Sequence, residues 1–368
     1  MKKKILYIAS LDSIHSFKWI NFFLNLDYEV SVISLSKKVE NYEFSKKINL
    51  HIYDKYKNKY LNTLYCLLSV IYNRKLFSLN DIIHVHYIGV NGLVSLVLKT
   101  NNLLLTAWGT DIKTNKRNSF KKFFLKILLK KSKVITTDSN EMKKLIVDID
   151  NNVNDKIKII KFGINTKLFS KKEYSFRIEK ELKLHDFHDH LKIISLRNHD
   201  RVYDIQTLIL SVEKLSKLSI KVKCLIYGTG PETENLKKLT ISLGLQNNID
   251  FMGKYHQDEL PYIFSVVDCY VSTSLRDAGL SSSTQEAMSC ELPSISSNKS
   301  ENDIWIKNGK SGFLFENKNV DELTEILKNL KNYDLPQIGN ESRKVILKDN
   351  DYNNEMMKVD AVYRNFIK

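Results

Sequence analysis

Residues 268–296 read DCYVSTSLRDAGLSSSTQEAMSCELPSIS, in which two short apolar runs flank a helical pattern. The runs at 268–272 and 294–296 are typical of buried strands, and a glycine followed by four hydroxyl residues marks the start of the helix. Strands that alternate with helices in this way pair in parallel, because the crossover helix returns the chain to the same end of the sheet. The stretch therefore predicts a parallel sheet covered by helices.

The same alternation recurs along the rest of the chain. In the first half, strand patterns lie at 4–9, 28–34, 48–53, 81–86, 103–106 and 134–136, and a helical pattern lies at 13–26. In the second half, strand patterns lie at 192–196, 222–227, 249–251, 268–272 and 294–296. The sequence therefore predicts an α/β protein with two doubly wound parallel-sheet domains.

The length of the chain also favours two domains. Its 368 residues exceed the roughly 250 to 300 at which a single hydrophobic core stops growing. Residues 170–190 are charged and without clear periodicity, which is typical of a connection. We predict a first domain over 1–165, a second over 166–349, and a C-terminal helix over 350–368 that is free to dock on either domain or to cross back to the first.

The positive charge of the chain lies in its first half. The chain carries 57 Lys and Arg against 42 Asp and Glu, and residues 1–170 hold 29 of the former and 13 of the latter. Such a one-sided basic domain implies an anionic partner: a membrane surface, a nucleic acid or a phosphorylated substrate. Nucleic acid is disfavoured, because no nucleic-acid module is recognisable and the lysines surround an apolar stripe instead of exposed stacking aromatics.

The densest basic segment runs from Lys113 to Lys133 and predicts an amphipathic helix. Its apolar stripe consists of Phe120, Phe123, Phe124, Ile127 and Leu128. Two interpretations of this stripe stay open: it docks on an anionic membrane surface, or it faces the domain core while the lysines are solvated.

Several classes of protein are excluded. The apolar run at 64–72 is far shorter than the ~20 residues of a membrane-spanning helix, and the first strand lacks a signal-peptide cleavage pattern. The four cysteines are widely spaced without a CxxC pair, so structural zinc is not expected. No GxGxxG is present, which disfavours a dinucleotide site. We expect a cytoplasmic protein, or one peripheral on the inner face of the cell membrane.

Candidate binding residues follow the strands, since ligands of parallel sheets bind beyond the carboxyl ends of the strands. Arg197 and Arg201 follow the strand at 192–196, and guanidinium groups grip phosphate oxygens. The helix that begins near Ser281 offers free amides to an anion, and Glu286 lies where it can bind a ribose diol. In the alternative interpretation no ligand binds here, the two arginines are ordinary surface residues, and the hydroxyl residues at the start of the helix only cap it.

The first half offers histidines and an aromatic loop at the same edge. His84 and His86 lie two residues apart on a strand and share a face, so that one or both belong to the core or to a site. The next strand ends in Trp108-Gly-Thr-Asp111, which fits either a binding loop or a helix cap made by the carboxylate.

Taken together, these residues resemble the family 4 glycosyltransferases, retaining enzymes of the GT-B fold. The most specific motif is residues 286–295, EAMSCELPSI, which resembles the family's E-A-M-A-x-G-x-P-V-I signature. Further motifs of the family are matched by NGKSGFL at 308–314, YGTGP at 227–231, HVH at 84–86, WGTD at 108–111 and FGINTKLF at 162–169. The resemblance implies two Rossmann-like domains that face a central cleft, with the acceptor bound by the first and the donor by the second.

The resemblance implies roles for individual residues of the donor site. Glu286 is expected to bind the donor ribose, and Arg197 the leaving diphosphate. The family usually has a lysine a few residues after this arginine, and Arg201 is the basic residue of this chain nearest to that position. The turn and the helix start that are expected to meet the nucleotide sugar contain Gly228, Gly230, Gly279, Leu280 and Ser281.

One acidic residue departs from the family's spacing. The family usually places two glutamates eight residues apart; here Ala278 stands eight before Glu286, and the acid is Asp277, nine before. We expect Asp277 to reach the sugar hydroxyls after a one-residue adjustment of the loop.

In the first domain, His86 is expected close to the transferred sugar. The glycine pair of many relatives is replaced by Ser13-Ile-His15, so that Ser13 and His15, with Trp108 and Asp111, are candidates for the acceptor side.

The resemblance implies a hexosyl- or N-acetylhexosaminyl-transferase. It is expected to move a sugar from a UDP-sugar to a glycan acceptor, lipid-linked, in cell-surface polysaccharide biosynthesis. In this interpretation, positive groups of the protein stabilise the leaving diphosphate, and neither a metal ion nor another cofactor is needed. The alternatives are an inactive donor-binding relative that serves as a partner subunit, and another GT-B enzyme such as a nucleotide-sugar epimerase or a phosphorylase.

Overall fold

The computed structural model describes residues 3–26, 28–37, 43–116, 119–277, 279–299 and 301–366, without the side chains of 114–116 and 119. The chain divides into two compact units. The first unit consists of Met1–Phe162 and Asn353–Lys368, and the second of Gly163–Tyr352.

In the described part of the first unit, seven parallel strands form one sheet in the order β3-β2-β1-β4-β5-β6-β7. The strands are β1 (Lys4–Ile8), β2 (Glu29–Ser34), β3 (Asn49–Ile52), β4 (Ile82–His86), β5 (Leu103–Ala107), β6 (Val134–Thr137) and β7 (Ile157–Ile159). The helices are α1 (Ile14–Asn25), α2 (Lys59–Tyr72), α3 (Arg74–Phe77), α4 (Ile88–Leu96), α5 (Thr110–Lys116), α6 (Ser119–Lys131), α7 (Asn140–Val147) and the C-terminal helix (Tyr352–Phe366), with a 3-10 turn at Asn151–Lys156.

Helices cover both faces of this sheet, as its apolar strands require. On one face, Leu6 and Ile8 of β1 share a core with Val70 of α2, Val94 of α4 and Leu128 of α6. Successive strand residues point to opposite faces, so Tyr7 lies on the other side of the sheet. Helices α2, α4 and α6 therefore form one layer.

The C-terminal helix packs on the opposite face of the first sheet. Its Tyr363 hydroxyl lies 2.8 Å from the Tyr7 hydroxyl and 2.5 Å from Nδ1 of His84. Its Asp360 accepts a hydrogen bond of 2.6 Å from the Tyr28 hydroxyl. His84 is therefore a core histidine, and burial, with His86 close by, holds its pKa well below the usual value. The structure thus decides the placement of this helix, which the sequence left open.

In the described part of the second unit, six parallel strands form a sheet in the order β10-β9-β8-β11-β12-β13. The strands are β8 (Leu191–Leu196), β9 (Val222–Tyr227), β10 (Ile249–Gly253), β11 (Cys269–Ser272), β12 (Ser294–Ser297) and β13 (Phe313–Phe315). The helices are α8 (Phe176–Glu181), α9 (Ile205–Lys217), α10 (Thr233–Ser242), α11 (Leu260–Phe264), α12 (Ser282–Ser289), α13 (Asn302–Trp305), α14 (Val320–Asn329) and α15 (Leu335–Asp349); the C-terminal helix is α16. Two 3-10 turns lie at Arg201–Tyr203 and Leu330–Asn332 in these described residues.

The predicted fold class is confirmed, since both sheets are parallel and doubly wound. Strands β7 and β13 were not predicted; each is a three-residue edge strand, too short for a periodic pattern. The connection at 170–190 contains the short helix α8.

The basic segment between Lys113 and Lys133 forms two helices, α5 and α6, and its residues 117 and 118 lie outside the described residues. The core face of α6 is formed by Leu125, Leu128 and Leu129, whereas Phe120 and Phe123 are exposed. Of the predicted stripe, Leu128 thus belongs to the core, and Phe124 is partly buried. Among the described residues, none of the helices combines the length and the apolar character needed to cross a bilayer.

Candidate functional site

In the second unit, Arg197 lies directly after β8 at the carboxyl edge of the sheet. Its Nη2 donates a hydrogen bond of 2.5 Å to Oδ1 of Asp277, and both side chains are largely buried. Its guanidinium carbon lies 4.4 Å from the centre of the Tyr203 ring. Nε of Arg197 is buried and has no hydrogen-bond partner among the described residues. The group is thus held in place, with one donor that no acceptor in the described residues uses.

The charge of Arg197 is maintained although the residue is buried. Burial is the largest influence on the Arg197 pKa and acts to lower it, but Tyr270 and Asp277 outweigh burial and raise the pKa above its usual value. The guanidinium is therefore a fixed positive charge at every physiological pH.

The N-terminus of α12 lies beside this guanidinium. Ser281 caps the helix and accepts a 3.2 Å hydrogen bond from the amide of Thr284. The hydroxyl of Ser283, in the first turn, lies 3.4 Å from Nη1 of Arg197 and 2.8 Å from the hydroxyl of Tyr270. The first amides of a helix lack partners within the helix and carry partial positive charge. The structure therefore brings together two of the predicted anion-binding features.

The loop before α12 contains two further predicted residues. Gly279 has a φ of 80°, in the left-handed region that favours glycine, and a Cβ there meets no atom. Leu280 is buried, and its carbonyl accepts a 2.6 Å hydrogen bond from Nε2 of Gln285. Leu280 therefore anchors the loop through its side chain and carbonyl.

Gly228 and Gly230 serve the packing of two strand-end loops. A Cβ at Gly228 would lie 2.2 Å from the carbonyl oxygen of Arg197, and one at Gly230 would lie 2.4 Å from that of His199. The turn after β9 therefore packs closely against the segment after β8. Gly228 thus packs against the backbone of Arg197 and Gly230 against that of His199. Contact of the two glycines with a nucleotide sugar stays a prediction.

His199 is a residue of this edge that the sequence reasoning missed. It is fully buried, with Nδ1 2.9 Å from the Thr233 hydroxyl, and its carbonyl accepts a 2.9 Å hydrogen bond from the amide of Glu232. Burial lowers its pKa, so the ring is neutral. Its position two residues after Arg197, on the same strand-end segment, was the available signal.

Arg201 lies on the surface, apart from the group around Arg197. Its side chain is 87% exposed, and Nε donates a 2.9 Å hydrogen bond to Oε1 of Glu232. The carboxylate that pairs with Arg201 is thus that of Glu232, whereas Arg197 pairs with Asp277.

Glu286 lies on α12 and is buried. Its Oε1 accepts a 2.9 Å hydrogen bond from Nε2 of Gln257. Burial, followed by the charge of Glu286, raises the pKa of Tyr255 to about 12, so that tyrosine is neutral. The sequence reasoning missed Gln257 and Tyr255, although both follow strand β10 at the ligand-binding edge of the sheet.

In the first unit, His86 ends β4 and is fully buried in an aromatic cluster. Its ring centre lies 5.2 Å from that of Trp108 and 5.1 Å from that of Trp19. Its Nδ1 lies 3.4 Å from the Ser16 hydroxyl, and its Nε2 has no hydrogen-bond partner among the described residues. Burial, assisted by His15, lowers the pKa of His86 to about 3. His86 is therefore a neutral hydrogen-bonding group and not a cation.

His15 and Trp108 meet beside His86, together with Phe162, which the sequence reasoning did not place there. The ring centre of His15 lies 5.6 Å from that of Trp108 and 4.5 Å from that of Phe162. Burial, followed by Lys18, lowers the pKa of His15 to about 4. Nε1 of Trp108 is buried without a hydrogen-bond partner in the described part of the chain. Aromatic faces beside unpaired N–H groups suit a sugar ring, which is apolar on its faces and polar at its edge.

Ser13 and Asp111 act as caps. Ser13 is the N-cap of α1 and accepts a hydrogen bond from the amide of Ser16. Asp111 is buried; its Oδ1 accepts from the amide of Gly109 at 2.9 Å and its Oδ2 from that of Ile88 at 2.8 Å. Burial raises the Asp111 pKa although these amides oppose that effect. Of the two roles that the sequence left open for this carboxylate, the structure shows the cap.

Two families match this chain, one on each unit. Residues 4–139 match the family described as Glycosyl transferase 4-like, and residues 177–345 match Glycosyl transferases group 1. Their boundaries follow the two sheets, since the first match contains β1 to β6 and the second contains β8 to β13.

Individual proteins agree with these matches. An uncharacterised glycosyltransferase of Methanocaldococcus jannaschii is 29% identical over 228 residues, which are 61% of this chain and 56% of that protein, so the match spans little more than half of the relative. The crystal structure of a glycosyltransferase from Rickettsia africae has a TM-score of 0.83 at 20% identity, covering 100% of this chain and 99% of that one. Anabaena HepE in complex with UDP has a TM-score of 0.77 at 15% identity, covering 99% and 100%. At these identities the two structures show the fold alone, which is the GT-B fold. The two family matches together cover most of the chain, and they show that it belongs to the glycosyltransferases, with a 4-like first unit and a group 1 second unit.

Proposed function

We propose that the protein is a retaining glycosyltransferase that moves a sugar from a UDP-sugar to a lipid-linked glycan acceptor in cell-surface polysaccharide synthesis. The observation that supports it most is the buried guanidinium of Arg197 beside the N-terminus of α12, at the carboxyl edge of the second sheet. Both features favour negative charge at one place, and a nucleoside diphosphate leaves as an anion.

Arg197 acts on the leaving group. Transfer breaks the bond between the anomeric carbon and the diphosphate, and negative charge grows on the phosphate oxygens as that bond opens. Fixed positive groups aimed at this charge lower the barrier, because they need no reorganisation during the reaction. The guanidinium and the first amides of α12 supply such groups without a metal ion, and we propose that none is required.

Asp277 has two positions in this proposal. In the structure it pairs with Nη2 of Arg197. The donor's diphosphate replaces the carboxylate at the guanidinium, because both are anions that accept from the same N–H groups. Asp277 is then available to accept hydrogen bonds from the hydroxyls of the sugar, which is the role expected for an acid at this point of the sequence.

Glu286 binds the ribose of the donor. A carboxylate accepts both hydroxyls of a ribose diol, and Gln257 orients this one through a 2.9 Å hydrogen bond to Oε1. UDP is the proposed nucleotide, since Anabaena HepE, which shares the fold, was crystallised with UDP.

In this proposal the first unit binds the sugar through neutral groups. His86 has a pKa of about 3, so it does not act as a general acid at neutral pH. Its Nε2, which has no partner among the described residues, forms a hydrogen bond with a sugar hydroxyl. We propose that His15 and Trp108 pack against a sugar ring of the donor or the acceptor. The proton of the attacking acceptor hydroxyl passes to an oxygen of the departing diphosphate, which stays on the face where the new bond forms, so that the configuration is retained.

The acceptor is proposed to be lipid-linked because the first unit is basic. Helix α6 presents Lys121, Lys122, Lys126 and Lys130, and such clusters are attracted to anionic lipid head groups. Nζ of Lys126 and of Lys130 lie 4.0 and 3.8 Å from the buried carboxylate of Asp150, which offsets part of their charge. We propose that the protein is peripheral on the inner face of the cell membrane.

One observation favours a second candidate, an inactive donor-binding relative that acts as a partner subunit. The two arginines proposed for the diphosphate are both paired with carboxylates, Arg197 with Asp277 and Arg201 with Glu232. Nucleotide binding without any transfer or hydrolysis of the sugar would favour this candidate.

A thermal-shift screen tests the proposed function. The protein is melted with UDP, GDP, ADP or CMP, each with magnesium or with EDTA, and then with the matching nucleotide sugars. A ligand at 100 times its dissociation constant adds about 2.7 kcal/mol to the stability of the fold, which shifts the melting temperature visibly. We expect UDP to stabilise the protein equally in both buffers. Loss of the UDP shift in EDTA contradicts the metal-free proposal, and no shift with any nucleotide contradicts the donor site.

A further inference from the structure

The solvent face of α2 consists of large apolar side chains. Its core face is formed by Asn62, Cys66 and Val70. The exposed residues of the opposite face have accessible fractions between 44 and 88%; they are Tyr60, Leu61, Leu64, Leu68, Ile71 and Tyr72, called the α2 ridge below. A surface helix normally carries polar residues on this face, and contiguous exposed apolar side chains mark interaction surfaces.

The surroundings of the α2 ridge are positively charged. Residues 55–80 contain no Asp or Glu, and their five basic residues lie at both ends of the ridge: Lys55, Lys57, Lys59, Arg74 and Lys75. Residues 119–137, which include α6, also contain no acidic residue, and Phe120 and Phe123 are exposed there among the lysines. Apolar ridges with basic borders match a surface that is apolar inside and anionic at its edge.

Helices α2 and α6 lie in one layer of the first unit. Val70 of α2 and Leu128 of α6 belong to the same core, on the same face of the sheet, and α4 contacts both helices. The outer faces of α2 and α6 therefore point away from the same side of the sheet.

We propose that α2 docks into the interface of a bilayer that contains anionic lipids, with the α2 ridge among the upper acyl chains and the lysines of α6 on the head groups. Docking by α2 rests on the proposed function, because a lipid-linked acceptor presents its sugar at such a surface. Tyr60 and Tyr72 lie at the two ends of the ridge, and tyrosine side chains are enriched at the level of the lipid head groups. Helix α2, 14 residues long, then lies along the membrane plane.

Charge favours a bilayer over a second copy of this chain as the occupant. Two copies joined through the α2 ridge would place Lys59 and Arg74 of each near the basic border of the other. Like charges brought together in this way oppose association. An anionic head-group layer complements the same border.

A fluorescent label on α2 tests the docking. The four native cysteines are buried, and burial raises the pKa of Cys66 and of Cys290 to about 12, so they react slowly with thiol reagents. The full chain with Leu64→Cys is labelled with an environment-sensitive dye. The matched control is Ile241→Cys on α10 of the second unit, which is exposed to a similar degree. Both are titrated with phosphatidylcholine vesicles, with or without phosphatidylglycerol.

We expect a blue shift of the Leu64→Cys label on the anionic vesicles and little change for the Ile241→Cys label. The unlabelled triple variant Leu64→Asn/Leu68→Asn/Ile71→Asn should bind these vesicles about tenfold less tightly or worse, because apolar insertion drives the binding. These side chains are exposed, so the variant should keep its melting temperature and its stabilisation by UDP.

Three results would overturn the inference. If the label on α2 shows no shift while the protein sediments with the anionic vesicles, then another surface docks. If the triple variant binds as tightly as the wild type, or if size-exclusion chromatography with light scattering shows a dimer that the triple variant abolishes, then the ridge serves another purpose. Stabilisation by UDP is measured in parallel, so a failure of α2 docking is distinguished from a failure of the proposed transferase.

Discussion

The ion pair between Arg197 and Asp277 gives the sharpest test of the proposed donor site. Asp277→Asn keeps the shape of the side chain and removes its charge. In the wild type, Nη2 of Arg197 lies 2.5 Å from Oδ1 of Asp277, and a diphosphate that needs this guanidinium has to displace the carboxylate. In the variant nothing charged has to be displaced. We therefore expect the variant to be less stable without ligand and to bind the diphosphate more tightly.

The magnitude follows from the geometry. A hydrogen bond that involves a charged group contributes about 1.5 to 3 kcal/mol to stability. The Asp277 and Arg197 side chains are 16% and 9% exposed, so solvent screens this pair little. The variant should lose stability of this size. The same free energy no longer opposes ligand binding, and at about 1.4 kcal/mol per tenfold it corresponds to a 10- to 100-fold tighter complex.

Calorimetric titration with UDP and with inorganic pyrophosphate measures this change, and chemical denaturation measures the stability. The control is Glu232→Gln, which removes the carboxylate from the exposed Arg201; screening by solvent should limit its effect to under about 1 kcal/mol. Sugar transfer by Asp277→Asn should be slower than by the wild type, since the acid for the sugar hydroxyls is lost. A destabilised variant that binds pyrophosphate no more tightly would refute the exchange of carboxylate for phosphate, as would an equal gain in the control.

The other predictions concern the ribose contact, the loop cap and the buried histidines. Glu286→Gln should weaken UDP binding by about tenfold or more and leave pyrophosphate binding unchanged; calorimetry that shows equal losses for both would contradict the ribose contact. Asp111→Asn should cost about 1 to 3 kcal/mol in urea denaturation, because backbone amides lose an acceptor, while UDP still binds; an unchanged midpoint would contradict the cap. His15 and His86, with pKa values of about 4 and 3, stay neutral in the folded protein while the unfolded chain takes up protons below about pH 6.5. These two histidines should therefore make stability highest above pH 6.5 and lower it by about 2 kcal/mol each by pH 5. Denaturation at both pH values measures this, and His86→Gln should lose less than the wild type on acidification.

Local patterns in the sequence were sufficient for the fold and for the edge of each sheet where the candidate residues lie. Apolar residues recur with the period of a strand or a helix because each element buries one face, and this information lies within a few neighbouring residues. The rule that ligands bind beyond the carboxyl ends of parallel strands then indicated Arg197, Ser281 and Glu286. The structure places Arg197 beside the helix that Ser281 caps.

The tertiary structure alone decided which partner each polar side chain has. Arg197 and Asp277 are 80 residues apart in the chain, and no local pattern indicates that they pair. The sequence allowed Asp111 to be either a binding or a capping residue. The hydrogen bond from the amide of Ile88 to its carboxylate shows that it caps. Whether a face predicted to be apolar is covered also depends on distant elements, as the exposed Phe120 and Phe123 of α6 show. Periodicity reports that a residue is apolar or polar, but contacts between remote segments determine what it touches, and the chemistry of the site depends on those contacts.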